Sequence, residues 1–492
     1  MRPTTYFPSW IRMRPLQFLI VALLSANLLL ATSTDVNAQN QTPTSPNLIV
    51  VMTDDLGYAD VGFNGCVDIP TPHIDSIANS GVKFTNAYVS YSVCGPSRAG
   101  FITGRYSQRF GFERNPQYLP SDPNMGLPLG ETTIAEALGK TGYRCGVVGK
   151  WHLGAHQNHH PLNRGFHEFY GHLGGGHRYL PEDLTLEDSA AASNEYESYR
   201  TLILNDRTPV KTTKYLTDEF SDASVRFIEK NKEQPFFLFL SYNAPHLPLQ
   251  ATPKYLNRFN NIKNPKRKTY AAMVSAVDDG VGQLLATLKK HNLEQNTLIF
   301  FLSDNGGPTT KNASQNKPLR GNKGDVWEGG FRVPFAARWP AKLPKGSVYE
   351  APVSSLDIFA TIASLSGAKI DEHRPLDGVN LMPYVRGEIK TPPHQAIYLR
   401  KFDQQRYAIR SGDYKQVIPF EGGKSQLYNL KNDIGETKNL ALQEPDTLAK
   451  LEALRKTWSA ELIDPIFQGL IHLPSFQKKQ ARNKSEKTGQ KK

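Results

Sequence analysis

Two stretches of this chain are apolar at nearly every position and stop on a cluster of polar side chains. Asn47-Leu48-Ile49-Val50-Val51-Met52-Thr53 ends at Asp54-Asp55-Leu56-Gly57, and Thr297-Leu298-Ile299-Phe300-Phe301-Leu302-Ser303 ends at Asp304-Asn305-Gly306-Gly307. A continuous apolar run of this length predicts a strand buried on both faces, as in a parallel sheet with helices on either side. Two further runs behave alike: residues 142–148 lead into Gly149-Lys150-Trp151-His152-Leu153-Gly154, and residues 235–240 into Ser241-Tyr242-Asn243-Ala244-Pro245-His246. Apolar residues at three- and four-residue spacing predict helices over 131–140, 217–230 and 271–291, and parallel strands need such crossovers. Ligands in open α/β sheets collect beyond the carboxyl ends of the strands, so these polar clusters are expected to meet at one edge.

After about residue 352 the texture changes. Residues 354–366 predict one more helix, Pro375-Leu376-Asp377-Gly378 turns the chain, and short alternating runs at 396–402, 405–411 and 414–419 predict a small antiparallel sheet. A helix over 446–462 follows. Residues 158–204 differ from the scaffold, holding His159, His160, Arg164, His167, His172, His177 and Arg178 around Gly174-Gly175-Gly176, and read as a long loop at the rim of a cleft. The Gly-rich stretch 319–334 is read as a loop placing Lys323 and Arg332; it lacks the spacing of a phosphate loop.

At the N-terminus, Arg2, Arg12 and Arg14 precede an apolar run over 16–31 and then Val36-Asn37-Ala38, the pattern of a signal peptide cut after Ala38. The run is short and broken by Gln17, Ser25 and Asn27, which argues against a permanent membrane anchor. The expected organisation is a signal peptide at 1–38, an α/β domain at 39–375, a smaller α+β subdomain at 376–474 and a basic disordered tail at 475–492, in a periplasmic or secreted protein. The formal net charge is +12, and half of it lies in residues 478–492. The remainder suits an acidic substrate without requiring one, and no nucleic-acid-binding module is found. There are three cysteines, Cys66, Cys94 and Cys145. An odd count in an exported chain calls for one special thiol, with the other two either paired or reduced.

Either acidic pair alone caps a loop more often than it holds an ion. Delivered to one edge, Asp54, Asp55, Asp304 and Asn305 make a hard-cation site, with Ca²⁺ favoured over Mg²⁺ where coordination is rich in side chains. Lys150, His152 and His246 are expected at the same edge. A Cys before a Gly-Pro turn ordinarily reads as a half-cystine or a core residue. Here Cys94-Gly95-Pro96-Ser97-Arg98 continues into Ala99-Gly100-Phe101-Ile102-Thr103-Gly104-Arg105, so a turn feeds a short helix whose first N–H groups, with Arg98, face the thiol position. That is a site prepared for an anion.

These segments, with Gly321 to Pro334, resemble the type I, formylglycine-dependent sulfatases, whose signature is C-x-P-S-R, and the resemblance spans roughly residues 45–462. It implies the alkaline phosphatase-like fold: an α/β protein with a large mixed sheet sandwiched by helices and a smaller C-terminal antiparallel sheet with a helix. It implies that a formylglycine-generating maturation enzyme oxidises Cys94 before folding, and that Asp54, Asp55, Asp304, Asn305 and residue 94 ligate one divalent cation, usually Ca²⁺. A hydroxyl of the aldehyde hydrate would then attack sulfur and expel the alcohol, and the second hydroxyl would drive release of sulfate. Arg98 would hold the nucleophile, Lys150 and Lys323 would neutralise sulfate oxygens, His152 would be the base and His246 the acid for the leaving alcohol. The substrate implied is a sulfated glycan, with His177 and Arg178 as sugar contacts. The context from Ser92 to Gly100, with Gln108 to Glu113, is similar to sulfatases of marine polysaccharide degraders, including those acting on carrageenan. Three alternatives stand beside this reading: a phosphonate or phosphate monoester hydrolase with the same nucleophile, a sulfated-glycan-binding protein with a silent site, and a basic surface protein acting through its tail.

Overall fold

Asn47–Thr53 forms strand β1 in the computed structural model of the chain, which describes residues 45–184 and 201–474 together with 1 and 477. The expected signal segment and the basic tail beyond 477 lie outside the described residues, and none of the described helices is long and apolar enough to cross a membrane. Side chains of β1 alternate between two cores: Leu48, Val50 and Met52 enter one, Ile49 and Val51 the other. Its neighbours repeat the division, Phe237 and Phe239 against Leu238 and Leu240, and Phe300 against Ile299 and Phe301. Burial on both faces is the reason these runs carry no polar position.

β1 pairs in parallel with β8 (Phe236–Ser241) and β9 (Thr297–Ser303), and β8 continues in parallel through β4 (Arg144–Lys150) to β5 (Glu168–His172). Antiparallel β10 (Phe335–Arg338) closes on β9, followed by β2 (Val82–Phe84) and β11 (Ser347–Tyr349). Beyond β5 come the short β6 (Leu204–Asn205) and β7 (Thr208–Pro209), which completes a ten-stranded mixed sheet in the order β11-β2-β10-β9-β1-β8-β4-β5-β6-β7. A separate two-stranded pair joins β3 (Ala87–Tyr88) to β12 (Val353–Ser354). Met52 lies opposite Ser241, Thr53 opposite Ser303 and Lys150 opposite His172. The carboxyl ends are therefore level, and the residues just past each strand project to one edge.

Helices α1 (Pro72–Asn79), α4 (Leu216–Asn231) and α5 (Pro265–Lys290) cover one face; α2 (Cys94–Thr103), α3 (Ile134–Gly139) and α6 (Asp357–Ser366) cover the other. Two boundaries differ from the periodicity for local reasons. α3 starts only after Thr133, whose hydroxyl accepts the Glu136 N–H while the Glu136 carboxylate accepts the Thr133 N–H, a reciprocal cap. α5 starts at Pro265 because the Asn264 side chain accepts the Arg267 N–H and a proline fits the first helical position.

The C-terminal sheet is an antiparallel meander of β13 (Ile397–Lys401), β14 (Arg406–Ser411), β15 (Tyr414–Ile418) and β16 (Gln426–Asn429), with α7 (Pro445–Ser459) packed on it through Leu451 against Ile409 and Leu427. β16 is a strand beyond the three expected. The meander is tied to the Gly-rich loop by a buried charge network. Lys415 Nζ lies 2.9 Å from Glu328 and 2.8 Å from Glu436, all three side chains fully buried. Glu436 also accepts the Glu328 N–H. Arg332 pairs with Glu328 at 3.1 Å and donates to the Thr85 carbonyl, so this residue, read from sequence as a companion of Lys323, belongs to the scaffold. All three cysteines are free thiols, with Cys145 in the core and Cys66 half-buried, which decides between the two states left open for that pair.

Lys415→Met would leave Glu328 and Glu436 buried against each other with no shared cation. Loss of one partner from a buried ion network costs about 3–5 kcal/mol, so a drop of that size in urea unfolding is expected. A drop below about 1 kcal/mol, the value of an exposed pair, would show that the network does not hold the meander in place.

Candidate active site

The level strand ends bring two acidic pairs together. Asp54 and Asp55 follow β1, Asp304 and Asn305 follow its neighbour β9, and carboxylate oxygens of Asp54, Asp55 and Asp304 lie within 4.8 Å of one another. Asp55 holds a φ of 67°, a left-handed backbone that an aspartate adopts only under constraint. Each carboxylate has its own cation, two of them buried and Lys323 partly exposed. Lys150 Nζ, from the end of β4, is 2.6 Å from Asp54; Lys323 Nζ, from the Gly-rich loop, is 2.7 Å from Asp55; Arg98, one turn into α2, is 2.9 Å from Asp304. Against the cost of its burial, Lys150 holds Asp54 well below the usual carboxylate range. Asp304 is instead pushed up to about 6 by burial and by Asp54 beside it, with Arg98 and Lys150 opposing. Asp54 Oδ1 and Asn305 Oδ1 are buried with no hydrogen-bond partner. Unpartnered hard oxygens beside three converging carboxylates fit one divalent cation.

Cys94 is the first residue of α2 and not part of a turn before it, because Pro96 falls at an early helical position where no N–H is required. Its thiol is buried, and Lys323 Nζ donates to Sγ at 3.3 Å. Burial pushes the thiol above its ordinary range, with Lys150 and Lys323 opposing. The next N–H, that of Gly95, donates to Asn115 Oδ1 at 2.9 Å. Arg98 also donates to Ser241 Oγ at 2.5 Å and to the Lys150 carbonyl at 3.2 Å, so its guanidinium is fixed from three sides.

His152 sits two residues past β4 at a φ of 61°, and both of its ring nitrogens are buried without a partner. Burial, then Lys150 and Arg98, hold it well below the usual histidine range, so the imidazole is neutral with a lone pair available. Its ring packs on Gly175, where an added Cβ would lie 2.5 Å from Nε2. His246 bonds the Leu247 carbonyl through Nδ1 at 2.7 Å, and its Nε2 faces Asp55 at 3.6 Å. Ligand atoms of His246, Cys94 and Asp54 fall within 4.8 Å of one another.

The structure therefore brings together Asp54, Asp55, Cys94, Arg98, Lys150, His152, His246, Asp304, Asn305 and Lys323. It does not add His177, which is fully buried with its two ring nitrogens on the Arg178 and Thr201 carbonyls and has none left for a sugar. Arg178 is partly exposed and bonds Asp183 at 3.2 Å. Other imidazoles of that stretch serve the scaffold: His159 meets the Pro123 carbonyl and His167 accepts the Cys145 N–H. Ser241, Asn115 and Asn243 were not singled out by sequence. Ser241, a hydroxyl ending a wholly apolar strand, carried a readable signal. The Asn243 amide, fully buried with neither atom partnered, lies two residues beyond it.

Three cations and an acidic cluster around one buried nucleophile position can stabilise an oxyanion as it gains charge. The sulfatase family model matches residues 46–368. The chain belongs to the sulfatase family. A second model, described as the C-terminal part of N-sulphoglucosamine sulphohydrolase, matches residues 322–461 of this sulfatase. Mouse steryl-sulfatase is 32% identical over 457 aligned positions, covering 79% of this chain and 72% of its own length. The uncharacterized sulfatase YdeN of Escherichia coli K12 is 30% identical, covering 86% and 88%. Among solved structures, Ps i-CgsB in complex with k-i-k-neocarrahexaose has a TM-score of 0.81 at 42% identity, covering 86% of this chain and 94% of that one. The sulfatase is a sulfuric ester hydrolase, which sets aside the phosphorus-ester and binding-only alternatives.

Gly175→Ala is expected to displace the His152 ring with little change in melting temperature. Misplacement of a reacting group by about 1 Å can cost roughly a hundredfold, so kcat on a sulfate monoester should fall at least about tenfold. Unchanged kcat in a variant whose crystal structure shows a moved ring would remove His152 from the reaction.

Proposed function

We propose that this sulfatase acts on a sulfated glycan of the carrageenan type, in the periplasm or outside the cell, through a formylglycine made from Cys94 by a maturation enzyme. The observation that carries the reading is the surroundings of Cys94: a helix N-terminus, Lys323 at 3.3 Å, and a thiol pushed up in pKa. A cysteine held as a thiol among cations is a poor nucleophile, because the thiolate is the reactive form. Support for the substrate comes from Ps i-CgsB, which was solved with a neocarrahexaose.

Asp54, Asp55, Asp304, Asn305 and residue 94 would hold the divalent cation, read as Ca²⁺ from the oxygen donor set. That cation supplies charge favouring a deprotonated nucleophile, and an aldehyde hydrate supplies two hydroxyls where a thiol supplies none. Arg98, fixed by Asp304, Ser241 and the Lys150 carbonyl, keeps residue 94 oriented. Lys150 and Lys323 direct ammonium protons at the sulfate oxygens and neutralise the charge that builds on them. Neutral His152 accepts the proton from the residue-94 hydroxyl when sulfate leaves. His246, whose Nδ1 proton is held by the Leu247 carbonyl, carries a second proton on Nε2 when charged and gives it to the departing sugar oxygen. Arg178 is retained as a sugar contact at the rim.

Protein co-produced with a formylglycine-generating enzyme should show the aldehyde by mass in the tryptic peptide 84–98, and should release free sulfate from carrageenan oligosaccharides. Turnover retained by Cys94→Ala would overturn the nucleophile. Release from aryl sulfates alone would overturn the glycan. Chelator-treated protein should regain about 2.7 kcal/mol of stability when Ca²⁺ reaches a hundred times its Kd, read by calorimetry, and Asp54→Ala should abolish the gain.

A further inference from the structure

The catalytic centre balances three carboxylates with three cations of its own. One residue past Lys323 the balance changes. Gly324 has a φ of +85° and leaves an open notch: a Cβ built there would meet only Lys401 Nζ at 3.7 Å and Val93 Cγ1 at 3.9 Å within contact range. Val93 precedes the nucleophile and Lys323 touches it, so this notch adjoins the place where the scissile ester must sit. Lys401, at the end of β13, is buried, donates to the Gly324 carbonyl at 2.7 Å and lies over the Tyr91 ring. No carboxylate among the described residues lies within 4 Å of its ammonium. Burial, then Arg406, push it down to about 8, with Asp325, Asp403 and Glu113 opposing from beyond contact distance. The Arg406 guanidinium, from β14, makes no hydrogen bond among the described residues and stands 3.7 Å from Asp325, whose other oxygen already accepts from Asn322. Asp403 and Glu113, the other carboxylates acting on Lys401, are themselves paired with Arg114 and Arg400.

We propose that the notch over Gly324, walled by Lys401 and Val93 and edged by Arg406, binds a second oxyanion of the substrate on the sugar that carries or adjoins the scissile sulfate. The C-terminal meander is then part of the specificity site. It selects glycans bearing a second sulfate or a uronate carboxylate, which is a narrower class than the proposed carrageenan-type glycan and rests on that reading. A buried ammonium with no carboxylate in contact gains most from an anion that arrives with the ligand.

The test is binding by titration calorimetry to unconverted protein, which retains Cys94 and turns nothing over, so that the result does not depend on the chemistry. Sulfate release by converted enzyme tests the proposed glycan sulfatase activity separately. Galactan oligosaccharides of one length, carrying one sulfate, two sulfates, or one sulfate and one uronate per repeat, are compared. Wild-type protein should bind a doubly charged form at least about tenfold more tightly than the singly charged one, a difference typical of one charge-assisted hydrogen bond. Lys401→Met should abolish most of that ratio, Arg406→Gln should reduce it, and Lys401→Arg should keep it. Which doubly charged form wins distinguishes sulfate from carboxylate. No preference in wild type, or an equal loss for all three ligands in Lys401→Met, would overturn the proposal; the latter outcome would make Lys401 a prop for the Gly324 carbonyl and nothing more.

Discussion

Three carboxylates and three cations stand against one another, out of water, at the carboxyl edge of the sheet. Desolvating even one such pair is expensive, and removing a single partner leaves a buried charge with nothing to answer it. The arrangement persists because the pairs are supplied from separate elements held in fixed register: Asp54 and Asp304 by β1 and β9, Lys150 by β4, Arg98 by α2 and Lys323 by a loop. Neither core could slip by one residue without turning a whole apolar row toward the wrong face. The parallel register thus fixes the charges, and the charges in turn require that register.

Much of this is legible in the chain alone. The runs ending at Asp54 and Asp304 are apolar throughout because they are buried on both sides, and strand order then forces the acidic pairs together. The signature from Cys94 to Arg98 pointed to the sulfatase family, which the family match bears out. What escaped was placement decided by which polar groups each side chain meets once the chain is folded. His177 and Arg332 have the residue types of a binding site, yet two backbone carbonyls hold the first and Glu328 with the Thr85 carbonyl hold the second. Asn115 was missed for the opposite reason: it lies outside every apolar pattern and acts through one bond to the Gly95 N–H. Helix α5 began early because a cap at Asn264 outweighed the absence of apolar residues in its first turn.

The small meander resembles an appendage in outline but is wired to the centre. Lys415 and Glu436 grip Glu328, Lys401 grips the Gly324 carbonyl, and between those two points lies the segment just past Lys323. A loop rich in glycine has little stiffness of its own. Its geometry is borrowed from the sheet packed behind it, so substitutions in β13 or β15 bear on the lysine beside Cys94.

That wiring has a consequence for the order of events during synthesis. A chain emerging from the ribosome presents Asp54, Cys94 and Lys150 long before Lys415 and Glu436, so the Glu328 end of the Gly-rich loop lacks those two partners until most of the protein has appeared. The Glu328 carboxylate therefore waits for its lysine while the strands that carry Asp54, Lys150 and Asp304 are already present.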